Sequence, residues 1–173
     1  MSRNLAILIV IAYLAATSCK AECNLGDAMQ VHEAPLPEDE DLRFDSKISK
    51  RSEGAVWSIY NDRAGKPQRL VHTDYGESGR EVHRITIGDA KNYIITTHLY
   101  VYLAPLSYEG SNTIREEIDH YLFCDAKLDL PPEWDEYDKA YITNARKAAD
   151  FFFTSDEIKK QLKDAGVKPP SWQ

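Results

Sequence analysis

Three histidines, His72, His83 and His98, fall in a stretch of chain that alternates like β-strand. A neutral imidazole offers one ring lone pair, so three of them side by side on adjacent strands would suit zinc or copper. Their spacing permits this under two conditions. If the turn Gly76-Glu77-Ser78-Gly79 is symmetric, Tyr75 faces Arg80 and His72 stands opposite His83. If Gly88 faces Tyr93 across the next turn, His83 stands opposite His98, at the ~4.5–5.5 Å cross-strand Cβ spacing. A slip of one residue in either loop sends a histidine to the other face. The alternative is three ordinary strand histidines, hydrogen-bonded or half exposed.

The elements that must position these residues run from Ala55 to Leu103. Ala55-Val56-Trp57-Ser58-Ile59-Tyr60 is β-branched and aromatic, as a half-buried strand requires. Gly65 is placed for the left-handed position of a short hairpin loop. Gln68 to Tyr75, Glu81 to Ile87 and Tyr93 to Leu103 are the next strands, and Pro105 stops the ladder. In the last of them Tyr93, Ile95, Thr97, Leu99, Val101 and Leu103 share one face, expected to meet the core. Ile94, Thr96, His98, Tyr100 and Tyr102 share the other. Its aromatic members His98, Tyr100 and Tyr102 are the candidate partner-binding residues, because aromatics on an open strand face suit protein contacts.

No nucleophile elbow, phosphate loop, zinc-ligand spacing or dinucleotide fingerprint occurs in the chain. No catalytic residue and no cofactor is therefore assigned. Glu116, Glu117 and Asp119 are carboxylates that could do acid–base work, but on a strand Glu117 and Asp119 share one face and Glu116 takes the other.

The N-terminus reads as an export segment, residues 1–18. Arg3 supplies positive charge, and Leu5 to Ala16 is an uncharged run of the length of a signal h-region, short for a membrane span. Ala16-Thr17-Ser18-Cys19 resembles the lipobox of bacterial lipoproteins. Ala16 stands where leucine is commonest, which leaves cleavage before Cys19 or after Ala21 open. The resemblance implies a lipid on Cys19, anchorage to a membrane, and a place in the periplasm or at the outer membrane. It covers the export segment and not the folded domain.

With Cys19 taken by lipid, Cys23 and Cys124 remain as a pair in an oxidising compartment, the alternative being two free thiols. Such a bridge closes a loop of about a hundred residues and is worth ~4.7 kcal/mol in the chain-entropy model. Residues 19–50 read as an acidic arm or tether. Ala34-Pro35-Leu36-Pro37 continues neither helix nor central strand, Glu38-Asp39-Glu40-Asp41 is a solvated run, and Leu42, Phe44 and Ile48 are placed to dock the arm.

Thr113 to Cys124 fits both a helical and an alternating pattern. It is read as strand because it ends at the turn Cys124-Asp125-Ala126-Lys127, with Leu128 and Leu130 beyond. Pro131-Pro132 then opens a helix with an apolar stripe of Trp134, Tyr137, Tyr141, Ala145, Ala148 and Phe152. Thr154 and Glu157 form the capping box of a second helix that stops at Gly166, and residues 168–173 are a tail. The expected fold is thus α+β: an antiparallel meander of about five or six strands with two C-terminal helices on one face, one domain over residues 51–167.

The chain carries a net charge of -7, and without Arg3 the exported part has 20 basic against 28 acidic residues. That argues against nucleic acid, which needs a basic footprint. Two classes survive. One is a non-catalytic module of the cell envelope that binds a protein partner, an inhibitor or toxin-neutralising role included. The other is a metal-binding or hydrolytic domain built on His72, His83 and His98.

Overall fold

The computed structural model describes residues 25–105, 112–130 and 139–172. Seven strands pair antiparallel in strict sequence order: β1 (Leu42–Ser46), β2 (Ala55–Asn61), β3 (Pro67–Gly76), β4 (Gly79–Ile87), β5 (Tyr93–Tyr102), β6 (Thr113–Cys124) and β7 (Lys127–Leu128). The architecture is α+β, with two more strands than the lower expectation. Phe44 and its neighbours form an edge strand on β2 instead of a tether, and the hairpin past Cys124 supplies β7. At that hairpin Asp125 and Ala126 both adopt positive φ, 51° and 58°, as a two-residue turn of the mirror-image type requires. Asn92 Oδ1 and Lys91 O hold their amides.

Two helices cover one face. α2 (Lys139–Phe153) lies over β5 and α3 (Lys159–Ala165) over β3. The alternating residues Trp57, Ile59, Leu70, Ile85, Tyr93, Ile95, Tyr121 and Phe123 meet Ala145, Ala148, Ala149, Phe152, Ile158 and Leu162 in the main core. The expected stripe of α2 is present in Ala145, Ala148 and Phe152, while Trp134 and Tyr137 lie outside the described residues. Thr154 does not cap α3. Its backbone amide and hydroxyl both return to Asp150 O and finish α2, and Glu157 is used elsewhere. The tail is docked: Lys168 N–H bonds Ala90 O, Ser171 N–H bonds Ala126 O, and Trp172 packs edge-on to Phe123.

A third helix, α1 (Gly26–Glu33), covers half of the opposite face, within the segment expected to be an arm. Leu25 and Ala28 bury against Ile94, with Met29 and Leu122 beside them. No helix among the described residues is long and apolar enough to cross a membrane.

Glycine is required at two turns. Gly65 takes φ 77° in the β2–β3 hairpin. At Gly79 a Cβ would stand 2.1 Å from Tyr100 O, so close approach of β4 to β5 excludes a side chain there.

Candidate binding surface and the histidine clusters

The β3–β4 turn is symmetric. Tyr75 pairs with Arg80, and His72 stands opposite His83. The next register differs from expectation. Gly88 N–H and Asp89 N–H both bond Asn92 O, which draws Gly88 into the loop and closes the strands at Ile87 and Tyr93. Thr97 therefore faces His83, and His98 pairs with Val82 on the other side of the sheet. The three-histidine metal centre does not form. Among the described residues no group of three or more His, Cys, Asp or Glu is placed to hold a metal.

His72 and His83 lie instead on the core side of the sheet, His72 buried and His83 partly so. His72 is fully buried; its Nε2 lies 3.0 Å from Ile48 O, to which it donates, and 3.1 Å from Ser46 Oγ. Burial, then the neighbouring His83, holds its pKa below the ordinary imidazole value. His83 Nε2 lies 3.0 Å from Glu81 Oε1, and that contact keeps the Glu81 carboxyl low. Phe151 stacks on His83 at 4.4 Å and meets the His72 ring edge-on at 5.0 Å. Trp57 lies 4.7 Å from His72 and donates its indole N–H to Glu157 Oε2 at 2.7 Å. Glu157 also accepts from Ser46 Oγ and Lys47 N–H, both at 2.7 Å. Burial alone would raise the Glu157 pKa, but these three donors bring it below the ordinary value. The carboxylate thus ties the chain before α3 to β1 and β2.

A second cluster lies under α1. Arg69 donates to Ala34 O and Pro35 O at the C-terminal end of the helix, where the dipole favours a cation. Arg84 Nη2 stands 3.0 and 3.1 Å from the two ring nitrogens of His32. One atom cannot lie in the ring plane beside both, so the guanidinium sits over the ring face. His32 Nδ1 is 3.3 Å from Thr86 Oγ1, and the His120 ring meets His32 edge-on at 5.3 Å. Burial first, then Arg84, His120 and Arg69, lowers the His32 pKa to about 4. The sequence reading missed this cluster. Its signal was the helical spacing of Leu25, Ala28, Met29 and His32.

Beyond α1 the same face is uncovered. His98 and Tyr100 stack with ring centroids 3.7 Å apart, and the Arg80 guanidinium lies 4.1 Å over the Tyr100 ring. His98 Nε2 approaches Glu116 Oε2 at 3.2 Å from the next strand. Arg80 pairs with no carboxylate among the described residues, and its Nε is buried without a hydrogen-bond partner. Ile118, opposite His98, is 48% exposed, and Ile114, at the bulge where β6 meets the end of β5, is 59% exposed. Tyr102 continues the row, its amide bonded to Ser78 O. His98, Tyr100 and Tyr102 thus lie on one half-exposed surface, as expected from their alternation.

Two shallow grooves lie elsewhere, one between Pro67 and α3, the other between Leu130 and Trp172, and neither borders these residues. Cys124 is disulfide-bonded. Cys19 and Cys23, named for lipid attachment and for pairing, lie outside the described residues, as does the export segment.

The class these features define is an open antiparallel meander with helices on both faces and an aromatic patch on the uncovered half of one. No family model, curated protein or solved structure matches the chain.

Proposed function

We propose that this chain is an exported, lipid-anchored module of the cell envelope that binds a protein partner without catalysis, through His98, Tyr100, Tyr102 and Ile118. The observation that carries the reading is the half-covered face. α1 buries Ile94 and packs beside Leu122, and the continuation of the same face leaves an aromatic stack partly exposed and a large aliphatic side chain, Ile118, exposed. Aromatic anchors beside apolar area are the usual centre of a protein interface. Arg80, with no acidic partner of its own among the described residues, favours a partner that brings a carboxylate to Tyr100. The lipid on Cys19 and a Cys23–Cys124 bridge belong to the same proposal and rest on the sequence.

Capture from solubilised envelope with the immobilised protein tests the surface. The partner retained by the wild type should fall at least tenfold with the Tyr100→Ala, Tyr102→Ala double variant, whose circular dichroism stays unchanged. Undiminished capture would rule this surface out. For the anchor, Cys19→Ala should move the protein from the membrane pellet to the soluble fraction, and sedimentation of that variant with membranes would count against a lipid at this position.

A further inference from the structure

We propose that Arg84 and His120, with Thr96 between them, hold a small tetrahedral oxyanion of the phosphate or sulfate type beside the C-terminal end of α1. The three residues stand in one row across β4, β5 and β6, on the face that α1 half covers. The argument starts from the Arg84 guanidinium, which is half-buried. Among the described residues its one polar contact is the face of the His32 ring, at 3.0 and 3.1 Å from the two nitrogens. A ring face attracts a cation but takes none of its five N–H groups in line. No carboxylate among the described residues answers the charge. Glu116 is engaged by His98, and Glu81, Glu117 and Asp119 turn to the opposite side of the sheet. A desolvated charge is costly unless an opposite charge or hydrogen bonds compensate it.

Further cations and imidazoles collect around the row, in a chain whose net charge is -7. Arg69 on β3 is 8% exposed and fixed by Ala34 O and Pro35 O. His32 on α1 meets the His120 ring edge-on at 5.3 Å. Thr96 Oγ1 lies 3.3 Å from His120 Nδ1. A hydroxyl donating there leaves the His120 proton on Nε2, which has no partner among the described residues and is free to donate to an ion. These groups disfavour one another's charge. Burial first, then Arg69, lowers the Arg84 pKa. Burial first, then Arg84, lowers that of His120, with His98 on β5 acting the same way and Asp119 opposing it from the other face. An anion in the row turns this repulsion into attraction. Two permanent cations and two imidazoles able to gain a proton favour a doubly charged ion over a single carboxylate. Neither Arg80 nor the aromatic stack enters the argument.

Titration of the purified protein with sulfate, against chloride at constant ionic strength, tests the site through the NMR signals of the His32 and His120 ring protons. Both rings should follow one saturating curve. Arg84→Gln should weaken binding roughly tenfold, the loss of a charge-assisted hydrogen bond. His120→Ala, at an exposed position that leaves the fold intact, should weaken it several-fold, read at His32. The bound ion favours protonated imidazoles, so the complex holds more protons than the free protein. Affinity should therefore rise as the pH falls from about 7.5 to about 5.5, where sulfate keeps its charge. Inorganic phosphate should displace sulfate. Phosphatidic acid vesicles mixed with the Cys19→Ala protein separate the sources of such a group: co-sedimentation that Arg84→Gln abolishes assigns it to a lipid headgroup, and no co-sedimentation assigns it to a free ion. Ring signals that do not respond to sulfate overturn the inference, and so does an affinity that Arg84→Gln leaves unchanged. The Tyr100→Ala, Tyr102→Ala variant should bind sulfate as the wild type does, so this result and partner capture are read apart.

Discussion

Trp57→Ala is expected to cost about 3–5 kcal/mol, read as a drop in the urea-unfolding midpoint. Trp57 is fully buried, and its ring packs on Phe151, Phe152 and His72 at 5.7, 6.0 and 4.7 Å. Truncation opens a cavity where β2 meets the helices. It also removes one of three donors from Glu157. Trp57→Phe separates the two effects, because it keeps most of the volume and loses the indole N–H. That variant is expected to cost about 1–3 kcal/mol, the usual penalty for a charged group deprived of a hydrogen bond. A cost below about 1 kcal/mol for Trp57→Ala would mean that the core is not where β2, β3 and α2 place it.

Acid should destabilise the protein well before its carboxylates titrate. His32 has its pKa lowered to about 4 by burial first and then by Arg84, His120 and Arg69. The folded state therefore holds the neutral ring, while the unfolded chain takes up a proton below about pH 6.5. Stability from this group is full above that pH, falls as the pH drops from about 6.5 to about 4, and levels off below. At 1.36 kcal/mol per unit the loss is about 3 kcal/mol. Burial shifts His72 the same way and adds to the loss in that window. The difference between wild type and His32→Gln isolates the His32 share: the variant should lose about 3 kcal/mol less between pH 6.5 and 4. Identical pH slopes would place His32 in water. Hydrogen exchange should report α1 as the element that opens, since Arg84 and Arg69 face the protonated ring and no carboxylate among the described residues pairs with them.

The hairpins were legible because turn chemistry and alternation agreed. Gly65 marked one loop, and the period of two in Tyr93 to Val101 marked a strand with its core side correctly assigned. Thr113 to Cys124 matched helix and strand alike, and the turn at Asp125 decided it. The site was less legible, because a register error of one residue inverts a face. Placing Gly88 in the ladder aligned His98 with His83, whereas two amides converging on Asn92 O put Gly88 in the loop. Local sequence does not reveal that choice. Glu157 shows a similar limit. Its spacing from Thr154 suggested a cap, but Trp57, Ser46 and Lys47, a hundred or more positions away in the chain, compete for the carboxylate and win. The partly exposed row of His98, Tyr100 and Tyr102 followed from alternation alone. What covers the rest of that face did not, because α1 is short and carries few apolar residues.

The uncrossed order of the sheet has a kinetic consequence. Every strand finds its spatial neighbour next to it in the chain, so each pairing closes a small loop and none waits for a distant stretch. A polypeptide emerging one end first could zip up hairpin by hairpin, more quickly than a sandwich of equal strand number. The late step is the return of the last helices, when Glu157 reaches back to Trp57 and locks the start of the sheet to the C-terminal helices.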